Sequence, residues 1–126
     1  FYFGRYTYRV AIDVALVGMA ISDQSLLAQL VFSQVSHCCR CRYYGSLPFS
    51  YQLVISCSGN MHIIPATAAL QRSLIKLRQG DLVALQGYLV DVDHDSGWRW
   101  RTSMTRTDTG GGACEIVYVE SIAVGQ

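Results

Sequence analysis

Residues 67–92, TAALQRSLIKLRQGDLVALQGYLVDV, carry two periodicities in succession. In the first half Leu70, Leu74 and Leu77 recur at helical spacing, with Arg72, Lys76 and Arg78 on the other side. Thr67 offers an N-cap oxygen and Gly80 a stop, so the spacing predicts the main helix over roughly residues 67–78. After Asp81 comes an apolar run from Leu82 to Val92, hydrophobic at both parities. A strand of that kind is expected to be covered on both faces.

Working outward, His94-Asp95-Ser96-Gly97 reads as a hairpin turn, and Trp98 to Arg106 as the return strand. Asp108 to Gly112 is a glycine-rich loop, and Glu115 to Val124 the last strand. Towards the N-terminus, Asn60 to Ile64 is extended, with Pro65 holding Ile64 in that region. Ser50 to Ser58 fits strand and helix equally. Gly45-Ser46-Leu47-Pro48 breaks a β-favouring run from Val31 to Tyr44. Ser22-Asp23-Gln24-Ser25 offers cap chemistry for a helical turn through Leu30, and Tyr6 to Gly18 reads as a long strand. The expected fold is mainly β with one or two short helices (α+β). Its architecture is read as a small OB-fold-like β-barrel, with a β-sandwich as the alternative.

A length of 126 residues fits one globular domain over residues 1–126. The composition is 51% apolar and only 15% charged, which predicts a homo-oligomer, since a charge-poor surface tends to be covered. A net charge of +1 gives no field for nucleic acid or an acidic membrane, so neither is expected as a partner. Lys76 is the sole lysine; arginine carries the other cations and favours planar, bidentate contacts. The best apolar run, Val10 to Ile21, is interrupted by Asp13 and is too short to span a bilayer. Phe1-Tyr2-Phe3-Gly4 has no basic start or small-residue cleavage site, and a trimmed upstream signal or anchor is compatible with it. Five cysteines, Cys38, Cys39, Cys41, Cys57 and Cys114, are an odd set. Reduced thiols, no intramolecular disulfide and a cytoplasmic location are expected.

Several blocks recur together in one known group. Asn60 to Ala66 (NMHIIPA), Gly87 to Val90 (GYLV), Gly97 to Arg101 (GWRWR), Thr105 to Gly110 (TRTDTG) and Gly112 to Glu115 (GACE) resemble an uncharacterised family of small bacterial proteins. The resemblance covers about the second half of the chain and implies no activity.

Candidate chemistry concentrates between Trp98 and Glu115. On a strand, Trp98, Trp100, Thr102 and Met104 share one face, most simply core, while Arg99, Arg101, Ser103 and Thr105 share the other. Two guanidinium groups about 7 Å apart beside hydroxyls suit a carboxylate or phosphate. The competing reading pairs those arginines with Asp91, Asp93 or Asp95 across the hairpin, and it is favoured. Asp108-Thr109-Gly110 resembles the aspartic protease triplet, but Thr105-Arg106-Thr107 before it is no hydrophobic strand. Gly110 to Gly112 joins two strands rather than a strand and a helix, unlike a phosphate loop.

No metal and no cofactor are expected. Asp91-Val92-Asp93-His94-Asp95 opens like a calcium loop but has Thr102 where the twelfth-position glutamate belongs. His37, Cys38, Cys39 and Cys41 lack the distant second pair of a zinc site and read as small buried hydrophobes. Cys114 and His62 would make a nucleophilic pair if the fold joins them; separate buried roles are the simpler reading.

Two functions from different classes follow. The favoured one is a binding module in which Arg99, Arg101, Arg106, Asp108, Gly110 and Gly112 meet a small anionic or zwitterionic ligand or a protein partner. The other is a small enzyme with Cys114 as nucleophile and His62 or Asp108 as acid/base.

Overall fold

The computed structural model describes residues 12–17, 25, 28–35, 38–105 and 113–125. Along them run β1 (Ile12–Val17), β2 (Leu30–Val35), β3 (Cys38–Tyr43), α1 (Tyr51–Cys57), β4 (Ser58–Pro65), α2 (Ala68–Leu74), β5 (Leu82–Leu89), β6 (Val92–Asp93), β7 (Arg99–Trp100) and β8 (Glu115–Gly125).

Local side chains set the element ends. The Ser50 hydroxyl accepts from the Leu53 N–H at 3.3 Å and starts α1, which settles the ambiguous 50–58 stretch as helix. Thr67 caps α2 in the same way, accepting from the Leu70 N–H at 3.2 Å. The expected helix is therefore present but shorter. After Leu74 the chain tightens into i→i+3 bonds, Lys76 to Ser73 and Leu77 to Leu74, both 3.2 Å. Gly97, at φ +87°, takes the left-handed position of the turn after β6, where the His94 N–H meets the Trp98 carbonyl at 2.8 Å.

β1, β4, β8 and β5 form one four-stranded sheet in that order. β1 and β4 are antiparallel, β4 and β8 parallel, β8 and β5 antiparallel. Registers Ile12↔Ile63 and Ile63↔Val117 put alternate residues of three strands on one face, which α2 covers. Ile12, Ile63, Leu74 and Val119 are its buried centre, with Met61, Leu77, Leu85 and Ile122 packed against them. The β2–β3 hairpin and α1 enclose a second cluster, Leu30, Val54 and Cys57.

Four expectations change. The barrel does not close among the described strands: β1 and β5 stand at opposite edges of an open sheet. The run from Leu82 to Val92 is not one strand buried on both faces. β5 ends at Leu89, and its outward residues Leu82 (60% exposed) and Tyr88 (62%) face solvent, because an edge strand has one covered face here. Among the described residues of the return strand expected from Trp98 to Arg106 (Arg106 lies outside them), only Arg99 and Trp100 pair in a ladder. Beyond them the Thr102 N–H goes to Asp91 Oδ1 at 2.9 Å, so a side chain replaces the ladder. Leu30 already opens β2, so a helical turn does not run through it; Ser22 to Gln24, and Tyr6 to Ala11 with Gly18 of the first expected strand, lie outside the described residues. No helix among the described residues is long and apolar enough to cross a membrane.

Candidate active site

The two central strands, β4 and β8, place the polar residues. With Met61↔Glu115 in parallel register, Met61 and Ile63 face the α2 side. Alternation then turns Asn60 and His62 to the opposite face, on the same side as Ile116. Cys114, one residue ahead of β8, falls level with Asn60. Both β4 side chains reach it: Asn60 Nδ2 donates to Cys114 Sγ at 3.6 Å, and His62 hydrogen-bonds the same sulfur.

The surroundings favour a thiolate. The hydrogen bond from His62 holds the Cys114 thiol below its ordinary value of 9.0 and outweighs the opposing cost of partial burial. Asn60 and the His62 charge add to the lowering, while the neighbouring Glu115 carboxylate opposes it. His62 is 2% exposed and Asn60 is also buried, whereas Cys114 keeps a solvent-facing share. A sheltered imidazole beside a reachable sulfur is the arrangement a nucleophilic cysteine needs.

The β6–β7 hairpin lies over this face. The Trp100 ring sits 4.5 Å from the His62 ring, inclined 55°, and the Trp98 ring lies 6.2 Å from Trp100, inclined 49°. Trp98 is thus on the same side as Trp100 but at the rim, 41% exposed rather than core. Two bonds pin the following segment to β8: Ser103 N–H to the Cys114 carbonyl at 3.0 Å, and Ile116 N–H to Thr102 Oγ1 at 2.9 Å. The first fixes the backbone of the cysteine itself.

Arg99 and Arg101 occupy the outer side of that hairpin. Arg101 bridges Asp93 at 3.1 Å and Asp91 at 3.5 Å, and Arg99 lies 3.7 Å from Asp93. These are exposed pairs, each contributing at most about 1 kcal/mol, but they direct the guanidinium groups towards carboxylates of the protein. They follow the cross-hairpin reading. Arg106, Asp108, Gly110 and Gly112 lie outside the described residues, as does His37.

Cys41, Cys57 and Cys114 are thiols rather than disulfide halves. Cys41 and Cys57 belong to the α1 cluster, and burial pushes the Cys41 thiol up, opposite to Cys114. Among the described residues no group of three or more His, Cys, Asp or Glu side chains is arranged to hold a metal ion.

Sequence reading offered Cys114 with His62 only as the alternative to separate buried roles, which it favoured, and it did not add Asn60 and Trp100 to that pair. Asn60 is two residues from His62 in a segment read as extended, so their shared face was available from alternation alone. Nothing in the sequence signals that Trp100 meets His62. No known protein family, curated protein or solved structure matches the chain, so its reading rests on the residues themselves.

Proposed function

We propose that the chain is a small thiol-dependent enzyme of the acyl-transfer type, with Cys114 as nucleophile, His62 as its proton partner and Asn60 as the polar group orienting the sulfur. The observation that carries this is the convergence of His62 and Asn60 on Cys114 Sγ.

The chemistry follows from that geometry. The Cys114 thiolate attacks the acyl carbon of an ester or thioester. An S–C bond forms, the bond from carbon to the leaving oxygen or sulfur breaks, and the His62 proton goes to the leaving group. Water then adds to the acyl-enzyme, giving its proton back to His62, and the thiolate departs. Dithiol exchange is less well supported, because Cys41 and Cys57 lie in the other apolar cluster. The binding-module reading has less behind it, since Asp91 and Asp93 already engage Arg99 and Arg101. Reduced thiols fit the expected cytoplasmic location.

The test is pre-steady-state hydrolysis of p-nitrophenyl acetate. The reading expects a burst of p-nitrophenolate stoichiometric with enzyme, an acetyl group on Cys114 by mass spectrometry, and loss of both in Cys114→Ser. A burst that survives Cys114→Ser, or no acetyl-Cys114 at any pH, contradicts it.

A further inference from the structure

The His62 ring has another neighbour besides Cys114, and it comes from a different part of the chain. Trp100 meets the imidazole at 4.5 Å between ring centroids. Two rings at that distance and inclined 55° pack against each other and restrict each other's rotation.

The indole is held from both ends. Val92↔Trp100 pairs it into the two-stranded ribbon, and the His94–Gly97 turn closes that ribbon with a 2.9 Å bond. On the far side Thr102 N–H is held by Asp91, and Thr102 Oγ1 and Ser103 N–H reach β8. Arg101 ties the same hairpin to Asp91 and Asp93. Cys114 and the start of β8 are thus clamped to the segment that follows Trp100.

We propose that Trp100 is a positioning residue for the Cys114 nucleophile: its indole, packed against the His62 ring, fixes that ring in the orientation that hydrogen-bonds Cys114 Sγ. The proposal rests on the reading of Cys114 and His62 as a nucleophilic pair. It goes beyond it in making the separate hairpin, and not β4 and β8 alone, responsible for the reactivity of the thiol. The groups acting on Cys114 are His62 and Asn60 from β4 and Glu115, the next residue, at the start of β8. Of the hairpin's titratable groups, Arg99, Arg101, Asp91 and Asp93 are engaged with one another, His94 Nδ1 lies 2.8 Å from Ser96 Oγ, and Asp95 stands beside it in the turn.

The test is the pH profile of Cys114 alkylation by iodoacetamide, read peptide by peptide, in wild type, Trp100→Phe, Trp100→Met and Trp98→Phe. Trp100→Met removes the ring, and the midpoint should rise by about one pH unit, slowing alkylation near neutral pH about tenfold. Trp100→Phe keeps a ring and should stay within about threefold of wild type, and Trp98→Phe should match it. A Trp100→Met profile identical to wild type overturns the proposal and leaves the nucleophile standing. An ordinary thiol midpoint in the wild type itself overturns both. If Trp100→Met does not fold, proton NMR of the wild type decides. His62 ring protons shifted upfield by the indole support the contact, and unshifted ones overturn it.

Discussion

β4 and β5 are both eight-residue strands of the same sheet, and their exposure runs opposite to their polarity. β5, Leu82-Val83-Ala84-Leu85-Gln86-Gly87-Tyr88-Leu89, has no charged residue, yet Leu82, Tyr88 and Leu89 are exposed. β4 carries Asn60 and His62, yet both are buried. Position in the sheet decides this. β4 lies between β1 and β8, with α2 packed on one face and the Trp100 hairpin against the other. β5 is an edge. A polar pair buried at the centre needs partners, and Asn60 and His62 find one in Cys114. The lesson is that composition ranks strands by apolarity, while pairing order decides which of them is enclosed.

Substitutions on the two strands should separate accordingly. Ile63→Ala, at a fully buried centre of β4, should cost about 2–5 kcal/mol in urea unfolding. A loss under about 1 kcal/mol would break the comparison. Gly87→Ala is the exception expected on β5. A Cβ there would collide with the Tyr118 carbonyl oxygen and come within 2.9 Å of Val119 Cα, beside the bulge between Gln86 and Gly87. Backbone atoms cannot step aside as a side chain would, so a cost of about 1–3 kcal/mol is expected. Leu82→Ser, on the exposed face of the same strand, should change stability by no more than about 0.5 kcal/mol.

The smallest effect is a slope rather than an offset. Because Cys114 is held below its ordinary 9.0, the folded chain releases that proton at a lower pH than the unfolded chain does. Between the two values the unfolded state binds more protons, so stability rises with pH, is fully gained above 9.0, and is lost as pH falls through the folded value. Wild type minus Cys114→Ser stability, followed over that range by urea unfolding, should increase with pH; a flat or falling difference would count against the thiolate.

Much of the fold was readable where local chemistry decides it. Thr67 and the leucine stripe marked α2, and His94 to Gly97 marked the hairpin turn, because caps and turns depend on a few neighbouring residues. What could not be read depends on partners far along the chain. The enclosure of β4 and the exposure of β5 follow from β8 inserting between them. The return strand ended early because Asp91 and Thr102 offered side-chain bonds in place of a ladder. In the site, the residue types at Cys114 and His62 suggested chemistry, but their meeting depends on the parallel register Met61↔Glu115. Trp100 read as core by alternation, and its contact with His62 depends on how the hairpin folds back.

The most direct test of the central claim uses two cysteines of one protein. Burial pushes the Cys41 thiol up, while His62 and Asn60 hold the Cys114 thiol down, on opposite sides of 9.0. Native protein is pulsed with iodoacetamide across pH 5–10, quenched and digested, and each cysteine peptide is followed by mass spectrometry. The account predicts a Cys114 midpoint below 9.0 and a Cys41 midpoint above it, with Cys114 labelled first near neutral pH. Two coincident midpoints, or Cys41 titrating below Cys114, would contradict it.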